Sequence, residues 1–161
     1  MRNALKVTTP TDREIVITRE FNAPRELVWD TMTKPELIQR WLSGPTGWSM
    51  AACDNDPRVG GTFRWILRAP DGTEMALCGV YREVVPPERV VRTESCEFGG
   101  VVQGGEQLAT LSLTEASGKT TLTLTLLYPS KEARDGAVAA GAADLAAAYE
   151  RVDEILAGAA V

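Results

Sequence analysis

The chain of 161 residues contains no histidine, which removes the commonest general base, the commonest metal ligand and every His-dependent nucleophilic triad. Any reaction would have to run on Asp, Glu, Tyr, Cys or Arg. Cysteine is scarce: Cys53, Cys78 and Cys96 are odd in number and widely spaced, with no Cys-x-x-Cys pair. That spacing argues against a disulfide framework and a structural zinc site. It fits buried free thiols in a reducing compartment, so a cytoplasmic location is expected. Long apolar runs are missing too. No stretch approaches about 18 apolar residues, and Met1 to Pro10 lack the apolar core of a signal peptide, so neither membrane insertion nor a leader is expected. Basic charge is in deficit, 17 Lys and Arg against 22 Asp and Glu. The net charge of -5 repels nucleic acid and anionic membrane surfaces, and neither is expected as a partner.

Binding motifs for inorganic groups are absent as well. A calcium loop opening at Asp54-Asn55-Asp56 would need glycine where Val59 stands and glutamate where Trp65 stands. Gly60-Gly61 lacks the Gly-Lys-Ser/Thr of a phosphate loop and reads as a strand-entry turn. No cofactor and no metal are implied.

What is present is an ordered series of patterns. Residues 1–12 are polar and aperiodic, a loose lead-in, and residues 13–158 read as one domain. Ile15, Ile17, Arg19 and Phe21 alternate with Glu14, Val16, Thr18 and Glu20, which predicts a strand over about 13–21. Asn22-Ala23-Pro24 offers a cap before a short helix carrying Leu27, Val28, Trp29 and Met32. Thr33-Lys34-Pro35-Glu36 has capping-box spacing for a second short helix with Leu37, Ile38 and Trp41, ended by Gly44-Pro45 and Gly47. Strands are expected at about 48–54, 62–69, 74–85, 89–98, 106–115 and 119–128, with loops over Asp56–Gly61 and Gly99–Gly105. Clean alternation of Leu122, Leu124 and Leu126 with threonines means one packed and one wet face, as in an antiparallel sheet covered on one side. Ser130 can cap a final helix over about 131–157, roughly 40 Å long. Its stripe is Val138, Leu145, Tyr149, Val152, Ile155 and Leu156, with Ala139, Ala142, Ala146 and Ala148 between. The fold class is therefore α+β: a curved antiparallel sheet of about seven strands wrapped on a long C-terminal helix, with two short helices after the first strand.

The few aromatics are concentrated where such a sheet would face its helix. Trp41, Trp48, Phe63, Trp65, Tyr81 and Tyr149 converge with Met75, Leu77, Leu126 and Leu145 in this reading. That set is either a plain packed core or the lining of a cavity for a hydrophobic or aromatic small molecule. If Met75, Leu77, Gly79 and Tyr81 face inward, Glu83 follows them unless a bulge intervenes. A carboxylate there could act as acid or base with Tyr81, or pair with an arginine such as Arg92. Exposed sheet edges leave a homodimer open.

Several stretches carry a family resemblance: Phe21-Asn22-Ala23-Pro24 leading into Val28-Trp29, Thr33-Lys34-Pro35-Glu36, Arg40-Trp41, and Asp56 to Phe63. Asp71-Gly72, Gly79-Val80-Tyr81-Arg82-Glu83 and Pro86-Pro87-Glu88-Arg89-Val90-Val91 continue the series. In this order they resemble the SRPBCC (START-like, helix-grip) superfamily, and within it bacterial homologues of the activator of heat-shock-protein-90 ATPase (Aha) domain. The resemblance implies a deep cavity between sheet and C-terminal helix. Relatives bind hydrophobic small molecules, cyclise polyketides or stimulate the chaperone ATPase. It thus implies a ligand-binding domain, with an enzyme of polyketide-cyclase or hydrolase type using Tyr81 and Glu83, or a chaperone partner, as alternatives. No counterpart of the extra N-terminal domain of the eukaryotic two-domain activators is expected from the stretches that match.

Overall fold

The alternating segments assemble into one eight-stranded antiparallel sheet in the computed structural model, which describes residues 4–42, 47–141 and 145–159. Its strands are β1 (Lys6–Thr8), β2 (Glu14–Phe21), β3 (Ser49–Asn55), β4 (Thr62–Arg68), β5 (Glu74–Val85), β6 (Arg89–Phe98), β7 (Val101–Ala116) and β8 (Lys119–Leu127). Spatial order is β1-β2-β8-β7-β6-β5-β4-β3, so the chain meanders from β3 to β8 and β8 returns beside β2. Helices α1 (Arg25–Thr33) and α2 (Pro35–Trp41) follow β2; α3 (Lys131–Ala139) and α4 (Ala146–Ala159) follow β8.

Period-2 patterning sorts the strands into two faces. Ile15, Ile17 and Phe21 on β2 share the inner face with Leu122 and Leu126 on β8, Leu111 and Leu113 on β7, and Phe63, Trp65 and Leu67 on β4, all buried. Thr18, Thr123, Thr125, Arg64 and Arg68 line the outer face. Onto the inner face pack Val28, Trp29 and Met32 of α1, Ile38 and Trp41 of α2, and Tyr149, Val152, Ile155 and Leu156 of α4. Arg19 ties β2 to α4, its guanidinium donating to both Asp153 carboxylate oxygens at 2.8 and 2.5 Å.

Five expectations need correction. The lead-in contains β1, which pairs Lys6, Val7 and Thr8 with Thr18, Ile17 and Val16; three residues are too few to show a period. The loop expected over Gly99–Gly105 shrinks to a Gly99-Gly100 turn, with β7 starting at Val101 and the β6–β7 register shifting between Ser95 and Cys96. The single C-terminal helix is broken. Ala140 caps α3, Gly141 takes a φ of +88°, and Val138 is exposed rather than part of the buried stripe. Ala142, like Gly44-Pro45, lies outside the described residues. Finally, Thr33 does not cap α2: its hydroxyl donates back to the Trp29 carbonyl at 2.7 Å, and Lys34 takes the N-cap position with Pro35 behind it. Pro24, not Asn22, is the N-cap of α1, whereas the Ser130 cap forms, its Oγ accepting from the Ala133 N–H at 3.0 Å.

Candidate ligand site on the inner face

The inner face of β3 to β6 is a ladder of apolar rows. Met50, Leu67, Met75 and Phe98 are aligned across the strands, and Cys53, Trp65, Leu77 and Cys96 form the next row. Phe63 stands opposite Gly79, and Tyr81 opposite Arg92. Glycine at 79 is a packing requirement, because a Cβ there would lie 1.8 Å from the Thr93 carbonyl oxygen and 2.9 Å from the Phe63 ring. The absent side chain lets β5 and β6 close and gives the Phe63 ring its place.

A polar group stands in the middle of this apolar surface. Arg92 Nε donates to Glu94 Oε2 at 2.9 Å, and the two side chains are 12% and 6% exposed. The guanidinium lies over both neighbouring rings, 4.9 Å from the Phe63 centroid and 4.8 Å from that of Trp65. Gln107 Nε2 donates to Glu94 Oε1 at 3.2 Å. The Tyr81 hydroxyl donates to Asn55 Oδ1, while Asn55 Nδ2 donates to the Thr33 carbonyl at 2.6 Å. Burial works against the Arg92 charge, but attraction to Glu94 and hydrogen bonds to Glu94 and Tyr81 outweigh it, so the group stays a cation. Burial raises the Tyr81 phenol and, more strongly, that of Tyr149, whose surroundings include Arg92, Glu94 and Arg19. Tyr128, just past β8, is pushed up to about 12 by burial and by Glu94 and Cys96. Two buried donors find no acceptor among the described residues: Trp65 Nε1 and the Tyr128 hydroxyl.

The expected site residues divide into three groups. Trp41, Phe63, Trp65, Tyr81, Leu126 and Tyr149 are buried on or against the inner face. Trp41 and Tyr149 meet at the α4 end, 6.1 Å apart, while Phe63 contacts Trp65 and Tyr81 at 4.9 and 5.5 Å. Trp48, Met75, Leu77 and Leu145 are only half-buried. Glu83 goes the other way. The register shifts between Tyr81 and Glu83, so Glu83 pairs with Val91 on the outer face and its carboxylate binds Arg89 at 3.0 Å. The Tyr81–Glu83 acid–base pair is therefore not assembled, and the arginine partner of Glu83 is Arg89, not Arg92.

Sequence reasoning passed over Glu94, Gln107, Asn55 and Tyr128. The available signal was the Arg92-Thr93-Glu94 alternation, which puts both charges on the face that carries Val90; a search for apolar lining skips it. The cysteines are free and half-buried rather than buried. Burial, then Asp54 and Glu36, push the Cys53 thiol up to about 11, so it is a poor nucleophile. Among the described residues no three Cys, Asp or Glu side chains converge as a metal site. A depression of about 220 Å³ is lined by Arg13, Arg82, Thr93, Gln107, Leu127 and Tyr128, and one of about 100 Å³ by Arg64, Glu74 and Glu97. No helix is long and apolar enough to cross a membrane among the described residues.

Comparison with known proteins bears on this arrangement. A family model described as activator of Hsp90 ATPase homolog 1-like protein matches residues 22–157. A crystal structure of a Rhodobacter sphaeroides protein is 31% identical, covering 96% of this chain and 98% of that one with a TM-score of 0.87. A Mycobacterium smegmatis protein of 24% identity, covering 95% and 97%, superposes with a TM-score of 0.84. One from Nitrosomonas europaea, 23% identical over 93% and 97%, gives 0.79; these last two speak for the fold alone. None of the curated proteins matches.

Proposed function

From the premise that this chain belongs to the activator of Hsp90 ATPase homolog 1-like family and has its helix-grip fold, we propose that it binds a hydrophobic or aromatic small molecule. The site is the inner face of the sheet beneath the C-terminal helices. The observation that carries the reading is the Arg92–Glu94 pair set between the Phe63 and Trp65 rings. Replacing a buried ion pair with apolar residues of equal volume is often neutral or stabilising by about 1–4 kcal/mol. The pair is therefore poorly explained by stability and well explained as a polar handle in an apolar pocket. Half-buried Trp48, Met75, Leu77 and Leu145 supply accessible apolar surface for it.

The test is native mass spectrometry of the chain purified from its own cells, followed by titration with the neutral fluorescent probe N-phenyl-1-naphthylamine. The expected result is one small molecule released on denaturation, with probe binding at one site that Arg92→Met or Glu94→Gln weakens several-fold. A bare chain that also leaves the probe dark would overturn the reading.

The family description supports a second reading, interaction with a chaperone ATPase. The exposed Phe98 and Val101 at the β6–β7 turn give such a partner an apolar contact. Unchanged chaperone ATPase rates at saturating chain would remove it.

A further inference from the structure

The hydrogen-bond inventory of the inner face is unbalanced, and the imbalance says what kind of molecule fits. Its acceptors are engaged. Glu94 Oε2 takes a bond from Arg92, Glu94 Oε1 takes one from Gln107, and Asn55 Oδ1 takes the Tyr81 hydroxyl. Its charges are matched as well, Arg92 by Glu94 and Arg19 by Asp153, so among the described residues the buried charges of the inner face are paired. What remains is donor capacity. The indole N–H of Trp65, a residue 3% exposed, and the hydroxyl of Tyr128, 4% exposed, have no partner among the described residues. An indole N–H can only donate. Both side chains belong to the inner face: Trp65 shares its strand face with Phe63 and Leu67, and Tyr128 is two residues beyond the inward Leu126. A buried donor without an acceptor costs about 1–3 kcal/mol, which an incoming acceptor would recover.

We infer that the molecule held on the inner face is uncharged and carries a carbonyl-type oxygen that accepts from Trp65 Nε1, Tyr128 or both. This rests on the ligand-binding reading above and adds its chemical class: an apolar ketone, lactone or ester rather than a hydrocarbon, an amine or a carboxylate. Apolar body and carbonyl have separate tasks. The body lies against Leu77, Met75 and the ring faces; the oxygen takes the donors that the protein leaves unused.

A matched series tests it on the full chain by calorimetry: tetralin, 1-tetralone, 1-aminotetralin and 1-naphthoate. 1-Tetralone is expected to bind at least about tenfold tighter than tetralin, the worth of one recovered hydrogen bond. The amine and the carboxylate should bind more weakly than the ketone. In the Trp65→Phe/Tyr128→Phe double variant the ketone advantage, taken as the ratio of the two affinities in that same chain, should fall below about threefold. Should that variant not fold, Tyr128→Phe alone and the indole resonance of Trp65 in ¹⁵N–¹H spectra replace it. The resonance should move downfield with 1-tetralone and not with tetralin. Equal affinity for ketone and hydrocarbon, or preference for either ion, overturns the inference and leaves the ligand-binding reading intact. Failure of the whole series together with N-phenyl-1-naphthylamine removes both.

Discussion

Tyr128 concentrates the tension between burial and polarity in a single side chain. Its phenol stays protonated to about 12 in the folded chain, against about 10 when unfolded. Because the folded state holds the proton more tightly, the contribution is fully present below pH 10 and is lost as pH climbs toward 12. Allowing for solvent screening, the wild-type chain should lose on the order of 1 kcal/mol more than Tyr128→Phe across that window, read as the difference between urea denaturation curves. Near pH 8 the same variant should be at least as stable as wild type, since it removes a hydroxyl that lacks an acceptor. Parallel pH profiles for the two chains would show that the phenol is solvated when folded. Glu83 teaches the converse about legibility. Its neighbours alternate without fault, so period alone puts it inside, and one extra residue at Arg82 turns it out to Arg89. A bulge leaves no trace in hydropathy because both Arg82 and Glu83 are polar.

At the scale of elements, β5 and β6 approach closely at Gly79. Gly79→Ala would force a methyl onto the Thr93 carbonyl at 1.8 Å, backbone against side chain, with no rotamer able to relieve it. The expected cost is at least about 3 kcal/mol, the upper range for overpacking. Gly72→Ala provides the comparison. There nothing stands within 4 Å and only the positive φ of +90° is strained, so the loss should be about 1 kcal/mol. Equal melting losses for the two variants would mean that the strands can part at little cost. Helix and strand positions were readable because each element carries a full period of its own pattern: Leu122 and Leu126 turn inward, and so do Trp29 and Met32. Element ends were less readable. Thr33 and Asn22 are good caps in isolation, but the Thr33 hydroxyl bonds within its own helix and Pro24 sets the start of α1. The break after α3 was signalled by Gly141, yet glycine within an alanine run also fits an unbroken helix.

For the molecule as a whole, the decisive contact is the one that holds α4 over the sheet. Arg19 is 3% exposed on the inner face of β2, with its charge met by Asp153 of α4, its Nη1 also donating to the Glu20 carbonyl at 2.8 Å, and the Phe21 ring 4.7 Å from its carbon. Sheet and helix also meet through apolar contacts such as Phe21 with Tyr149 at 5.6 Å, which resist separation without fixing a register. The bidentate pair fixes one. Asp153→Ala strands a buried guanidinium, so it should cost about 3–5 kcal/mol, whereas Arg19→Met/Asp153→Leu removes both charges and should recover most of that. If the pair is also what closes the ligand site, amide exchange in Ala146–Ala159 should accelerate in the single variant before global unfolding, and probe affinity should fall with it. The double variant separates the two roles: restored stability with weak binding assigns the pair to the geometry of closure, and restored binding assigns it to stability alone. A single variant within about 1 kcal/mol of wild type, with unaltered exchange in α4, would place the hold between sheet and helix in the apolar contacts.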